Sequence, residues 1–147
     1  MTPRDARLLG FAGLLPSLIA VMALLFAPPD LRSLGFRLGL LYGALILVFV
    51  SGTWWAFASL SVDARLRTKL LVQSVLPTFV ALACLFSFSG VAALIVGLTF
   101  PLGLRVDRTL VQANLAPGWW LRLRVPLALG MGLLNALLGL VAWNAGL

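Results

Sequence analysis

The chain contains no histidine, no glutamate and only one cysteine, Cys84. Its acids are Asp5, Asp30, Asp63 and Asp107, and nothing else. A Ser or Cys nucleophile therefore has no imidazole to activate it. A metal site of the usual residue types cannot be built, and no motif calls for an organic cofactor. Cys84 sits in an apolar run, where a thiol acts as a small hydrophobe, and with no second cysteine it forms no intramolecular disulfide. None of the acids falls in the middle of an apolar run, so the groups that proton relays and ion-coupled transport need inside a membrane are missing. These absences point away from an enzyme and leave catalytic residues, metals and cofactors without candidates.

Charge is also scarce. Charged residues make up 10% of the 147 positions and hydrophobic ones 62%. A soluble fold of this length could not hide so much apolar surface. The net charge of +7 is read as topology and lipid attraction, with no nucleic acid implied. Arg4 and Arg7 precede the first apolar segment, Arg65, Arg67 and Lys69 lie between the second and third, and Arg105, Arg108, Arg122 and Arg124 lie between the fourth and fifth. Only Arg32 and Arg37 fall on the other side. An excess of basic residues marks the cytoplasmic face. The N-terminus is thus expected inside, and the C-terminus outside, a bacterial inner membrane. The arginine-rich, glutamate-free composition agrees with a GC-rich bacterial genome.

A bilayer core of ~30 Å is crossed by about 20 helical residues. The apolar pattern predicts helices at about 8–27, 38–60, 68–86, 90–104 and 125–145 in one transmembrane domain. Residues 70–104 would reach ~50 Å as a single helix, so a hairpin break is placed at Ser87-Phe88-Ser89-Gly90. Arg4 and Arg7 before an apolar run resemble a signal peptide, but the run is long and Pro28-Pro29 follows it, which favours a retained helix. Asp5-Ala6-Arg7-Leu8 recurs as Asp63-Ala64-Arg65-Leu66, and Leu15-Pro16-Ser17 is echoed by Leu76-Pro77-Thr78. That pattern suggests a parallel duplication of a helical hairpin with a fifth helix added.

Three groups of residues stand out. Gly39 and Gly43, with Gly35, and Gly132 and Ala136, with Ala128, form small-xxx-small faces that allow close backbone approach, either within the bundle or to a partner. Ser17, Ser51, Thr78 and Asn135 fall near the centres of their helices as a midplane polar set, available as interhelical glue or as the lining of a transport site. Trp54, Trp55, Trp119 and Trp120 are expected as interface anchors, as is Trp143 at the other end. The Asp/Arg clusters around Asp5, Asp63 and Asp107 are expected as headgroup anchors and exposed ion pairs.

The run Tyr42-Gly43-Ala44-Leu45-Ile46-Leu47-Val48-Phe49-Val50-Ser51-Gly52 followed by Trp55 resembles a helix signature of the family called domain of unknown function 3429. That family includes the mitochondrial transmembrane protein 69. The resemblance continues through Ser74-Val75-Leu76-Pro77, Asp107 and Ala116-Pro117-Gly118-Trp119-Trp120-Leu121-Arg122-Leu123-Arg124. It implies a small inner-membrane protein without an established activity. The resemblance implies that members often carry Arg or His just before the second-helix tryptophan, where this chain has Trp54, and glycine after it, where this chain has Ala56. The chain is thus expected to be an all-α, polytopic membrane protein of five spans. Its expected role is non-catalytic, as an accessory subunit, stabiliser or assembly factor among other integral membrane subunits and lipids. The alternative is a homo-oligomeric transporter of small solutes or lipids.

Overall fold

The computed structural model describes residues 2–146. Six helices follow in order: α1 (Arg4–Ala12), α2 (Leu15–Phe26), α3 (Pro29–Ala58), α4 (Ala64–Ser87), α5 (Gly90–Gln112) and α6 (Trp120–Asn144). The first two form one broken span, so five segments are long and apolar enough to cross a bilayer. No strand occurs among the described residues. The fold is a polytopic all-α membrane bundle.

Local chemistry sets the boundaries. Pro16 has no N–H to offer the carbonyl of Ala12, and its ring crowds that carbonyl; the first span breaks at Gly13-Leu14. The Tyr42 hydroxyl donates to the Gly13 carbonyl at 2.7 Å and ties the break to α3. Tyr42→Phe is expected to cost about 1 kcal/mol, the usual worth of such a bond, read as a lowered thermal midpoint in detergent. Pro29 occupies the first turn of α3, where a missing N–H costs nothing. Asp63 caps α4 by accepting from the backbone N–H groups of Arg65 and Leu66. Phe88, in the left-handed region at φ 40°, closes α4, and the Ser89 hydroxyl caps α5.

Three elements exceed the limits expected from hydropathy. The helix expected at 38–60 begins at Pro29, and the one expected at 90–104 runs on to Gln112. Charged residues end an apolar window, but not a helix: Arg105, Asp107 and Arg108 all have good enough helix propensity to continue it. The last helix likewise begins at Trp120 and takes in Arg122 and Arg124. The two repeated segments also differ. Pro16 interrupts the first span, whereas α4 passes through Pro77 without a break, and Asp63 is a cap where Asp5 lies inside the first turn of α1.

The most extensive packing is between α5 and α6, with α3 lying against α2, α4 and α5. Small residues make that contact possible. A Cβ on Gly97 would lie 2.8 Å from the Gly132 carbonyl oxygen, and one on Gly90 would lie 2.7 Å from that of Gly139. The two backbones touch directly, which is how helices associate where lipid supplies no hydrophobic drive. The main apolar core, containing Leu24, Leu40, Val96 and Leu138, fills the centre. A second cluster around Leu70 and Leu110 lies at the end that carries most of the basic residues, called here the basic end.

Candidate functional site

At the basic end, α5 carries a carboxyl group into the protein. Phe100, Gly103, Leu104, Asp107 and Leu110 share the buried stripe of the helix, while Arg105 and Arg108 lie on its exposed face. Asp107 is fully buried. Its Oδ1 accepts from the indole Nε1 of Trp54 at 2.9 Å and from that of Trp120 at 2.7 Å. Its Oδ2 accepts from Arg124 Nε at 3.1 Å. Three helices thus converge on one carboxylate, which receives the donors that a buried charge requires.

Arg124 is itself 5% exposed. It lies on the inward stripe of α6 with Leu123, Ala128, Met131 and Asn135, whereas Arg122 is exposed. Its guanidinium sits 6.0 Å from the centroid of the Trp120 ring, and Phe57 packs edge-on against that ring at 5.1 Å. Among the described residues, Arg124 hydrogen-bonds only through Nε. Its two Nη groups donate to no described residue.

Arg124 also forms part of the wall of a cavity of about 400 Å³. The break in the first span makes this space. Beyond Gly13, α1 leans on α6, with Gly10 against Leu127, and leaves a gap facing α3. The α6 wall runs from Trp120 to Met131, or ~16 Å of helix. Leu9 and Phe49, 75% and 70% exposed, stand at the mouth. Both are exposed apolar side chains on spanning segments, so this edge of the cavity lies on the outer side of the bundle. Apart from Arg124 at one end, its lining is almost wholly apolar.

The residues singled out by sequence fall in several places. Trp54 is 2% exposed and points inward, and Trp120 is half-buried; both donate to Asp107, while Trp55 faces outward at 51% exposure. Trp119 stacks obliquely on Trp120. The headgroup cluster expected at Asp107 is not formed. The carboxylate is internal, because helical periodicity turns it away from Arg105 and Arg108 and toward Arg124.

Gly39 lies against Ala20 and Leu138, Gly43 against Asn135, and Gly132 against Gly97 and Pro101, with Ala136 beside Gly97. These small residues are occupied within the bundle. Ser17 donates to Met131 Sδ at 3.6 Å, and Asn135 Nδ2 donates to the Met131 carbonyl at 2.9 Å. The Oδ1 of Asn135 faces Gly43 without a hydrogen-bond donor. Ser51 bonds back to the Val48 carbonyl of its own helix, and Thr78 is exposed on the outside of α4. The midplane set does not converge on one space.

Fold and site together define a five-span helical membrane protein with a buried Asp–Arg pair beside a lateral, apolar cavity. Residues 2–140 match the family described as Protein of unknown function (DUF3429), and the chain belongs to that family. No curated protein and no solved structure matches it. The position at which the family resemblance implies Arg or His is filled here by Trp54, whose indole N–H is a donor to Asp107.

Proposed function

We propose that this is a non-catalytic accessory protein of the bacterial inner membrane that acts by binding a ligand in the cavity beside α1. The distribution of basic residues supports an orientation with the cavity's Arg124 end, and the N-terminus, on the cytoplasmic side. One observation carries the binding role: an arginine more than nine-tenths buried, with unpartnered Nη groups, lines a lateral apolar cavity. A charged side chain turned into the interior of a membrane bundle is a functional-site candidate, and a volume of about 400 Å³ is in the range of ligand pockets.

Chemistry at the site is a weaker reading. Asp107 is fully buried and already held by three donors, which leaves it no free face toward a substrate. Transport through the midplane set is weaker too, since Ser17, Ser51 and Asn135 are buried against neighbours and Thr78 faces outward. The glycine faces give little support to partner docking, because their Cβ positions are taken up inside the bundle. Any complex this protein serves would meet it through its outer helix faces, with the cavity occupant as the component it contributes.

Native mass spectrometry after mild extraction tests the reading. The expected result is one small molecule per chain, lost in Ala6→Phe, where a ring on α1 fills the cavity. A chain that leaves its own membrane with nothing bound, and whose thermal midpoint Ala6→Phe leaves unchanged, would contradict it.

A further inference from the structure

The binding role just proposed leaves the ligand open, and the geometry at Arg124 narrows it. Arginine has five N–H donors in a planar fork. Asp107 takes only the one on Nε. The carboxylate's other oxygen is already turned to Trp54 and Trp120. Four N–H donors on Nη1 and Nη2 therefore remain, on a side chain that is 6% exposed. Asn135 Oδ1 is the one fully buried side-chain polar atom without a partner among the described residues. The Nη groups accordingly keep contact with open space, and the space that Arg124 lines is the cavity.

The remainder of the cavity is the chemical opposite of its end. Leu9, Leu14, Val50, Phe100 and Leu127 offer a guanidinium no acceptor. Few ligands satisfy both parts. The apolar wall requires a chain, and the fork requires an oxyanion that accepts two parallel hydrogen bonds. From Arg124 to Met131 the α6 wall is ~10 Å long, so the cavity takes the headgroup-proximal part of one acyl chain within a single leaflet of a ~30 Å core. The charged end also lies where a headgroup would. Asp107 and Arg124 are at the basic end of their helices, near the exposed Arg105, Arg108 and Arg122. The edge at Leu9 and Phe49 gives a chain a way in from the outer side of the bundle.

We infer that the cavity binds one anionic amphiphile, its oxyanion on the Nη groups of Arg124 and its acyl chain between α1, α3 and α6. A carboxylate headgroup and a phosphate diester share this chemistry, so both sources enter the test. The inference rests on the binding role of the same cavity.

The test is native mass spectrometry of delipidated full-length chain offered oleate, phosphatidylglycerol, phosphatidylcholine or monoolein at equal concentration. The expected result is one anionic molecule retained per chain, preferred about tenfold or more over phosphatidylcholine and monoolein, which is ~1.4 kcal/mol in affinity. Oleate alone would identify a carboxylate source, and phosphatidylglycerol alone a phosphate source. Either is expected to lose its preference in Asp107→Asn/Arg124→Gln, which removes both charges together, and to keep it in Arg122→Gln. Equal retention of the neutral or zwitterionic amphiphiles by the unaltered chain would overturn the inference while leaving a ligand-binding cavity in place. Retention of none would overturn both. These readouts on the unaltered chain decide the matter even if the double variant does not fold.

Discussion

Arg124→Leu is expected to destabilise the protein by about 3–5 kcal/mol, the range for breaking a buried ion pair by removing one partner. The cost comes from what is left behind. Asp107 would keep the two indole donors of Trp54 and Trp120, but its charge would remain inside the bundle without a countercharge. Hydrogen bonds to neutral donors moderate a buried charge without cancelling it. Asp107→Asn/Arg124→Gln is expected to cost much less, since no lone charge remains and an amide oxygen at position 107 still accepts from both tryptophans. Unfolding titrations in mixed micelles would compare the two. A single variant that loses less than about 1 kcal/mol would place the pair among exposed salt bridges and contradict the burial described here.

The second large effect is expected where α5 meets α6. A Cβ at Gly139 would lie 2.6 Å from the Gly90 carbonyl oxygen and 3.0 Å from the backbone nitrogen of Leu94. Backbone atoms cannot turn aside as a flexible side chain can. Gly139→Leu must therefore push the helices apart along their closest approach, at a cost of about 3 kcal/mol or more. Gly52 provides the contrast, because a Cβ there meets nothing within 4 Å. Gly52→Leu is expected to change stability by less than about 0.5 kcal/mol. Thermal midpoints of the two variants in one detergent measure the difference. Equal loss at both positions would show that bulk at any glycine, and not this contact, is what matters.

The architecture was largely legible in the sequence because lipid imposes a simple requirement: long apolar segments, polar ends and sorted charge. The hairpin signal at Ser87-Phe88-Ser89-Gly90 could be read for the same reason. The site was harder to see. Asp107 stands between Arg105 and Arg108 two residues before and one after, so a linear reading groups the three as one exposed cluster. Read at helical spacing, Phe100, Gly103, Leu104 and Leu110 form a stripe with Asp107 in its middle, and the two arginines fall outside it. The same device places Arg124 between Leu123 and Ala128 on the inner face of α6 and leaves Arg122 exposed. That periodicity was the available signal, and it was masked because hydropathy ended α5 at Leu104.

The two tryptophans of α3 carry a related lesson. Neighbouring residues on a helix are about 100° apart, so Trp54 and Trp55 could not share a role. One reaches Asp107 and the other faces the lipid side. No sequence pattern announced the cavity. It arises because Pro16 breaks the first span and Tyr42 fixes the break, and α1 then diverges from α3. Small-xxx-small faces, by contrast, were visible at once, but sequence spacing cannot say whether the facing helix belongs to the same chain. Here Gly39, Gly43 and Gly132 all meet internal neighbours.

The most direct measurement is an experimental structure of the chain crystallised from a lipidic phase. The expected result is α1 held off α3, Asp107 bonded to Trp54, Trp120 and Arg124, and an elongated density running from the Arg124 Nη groups along Leu127 toward Met131. An α1 collapsed onto α3, with Arg124 turned out to solvent and no space between the helices, would contradict it.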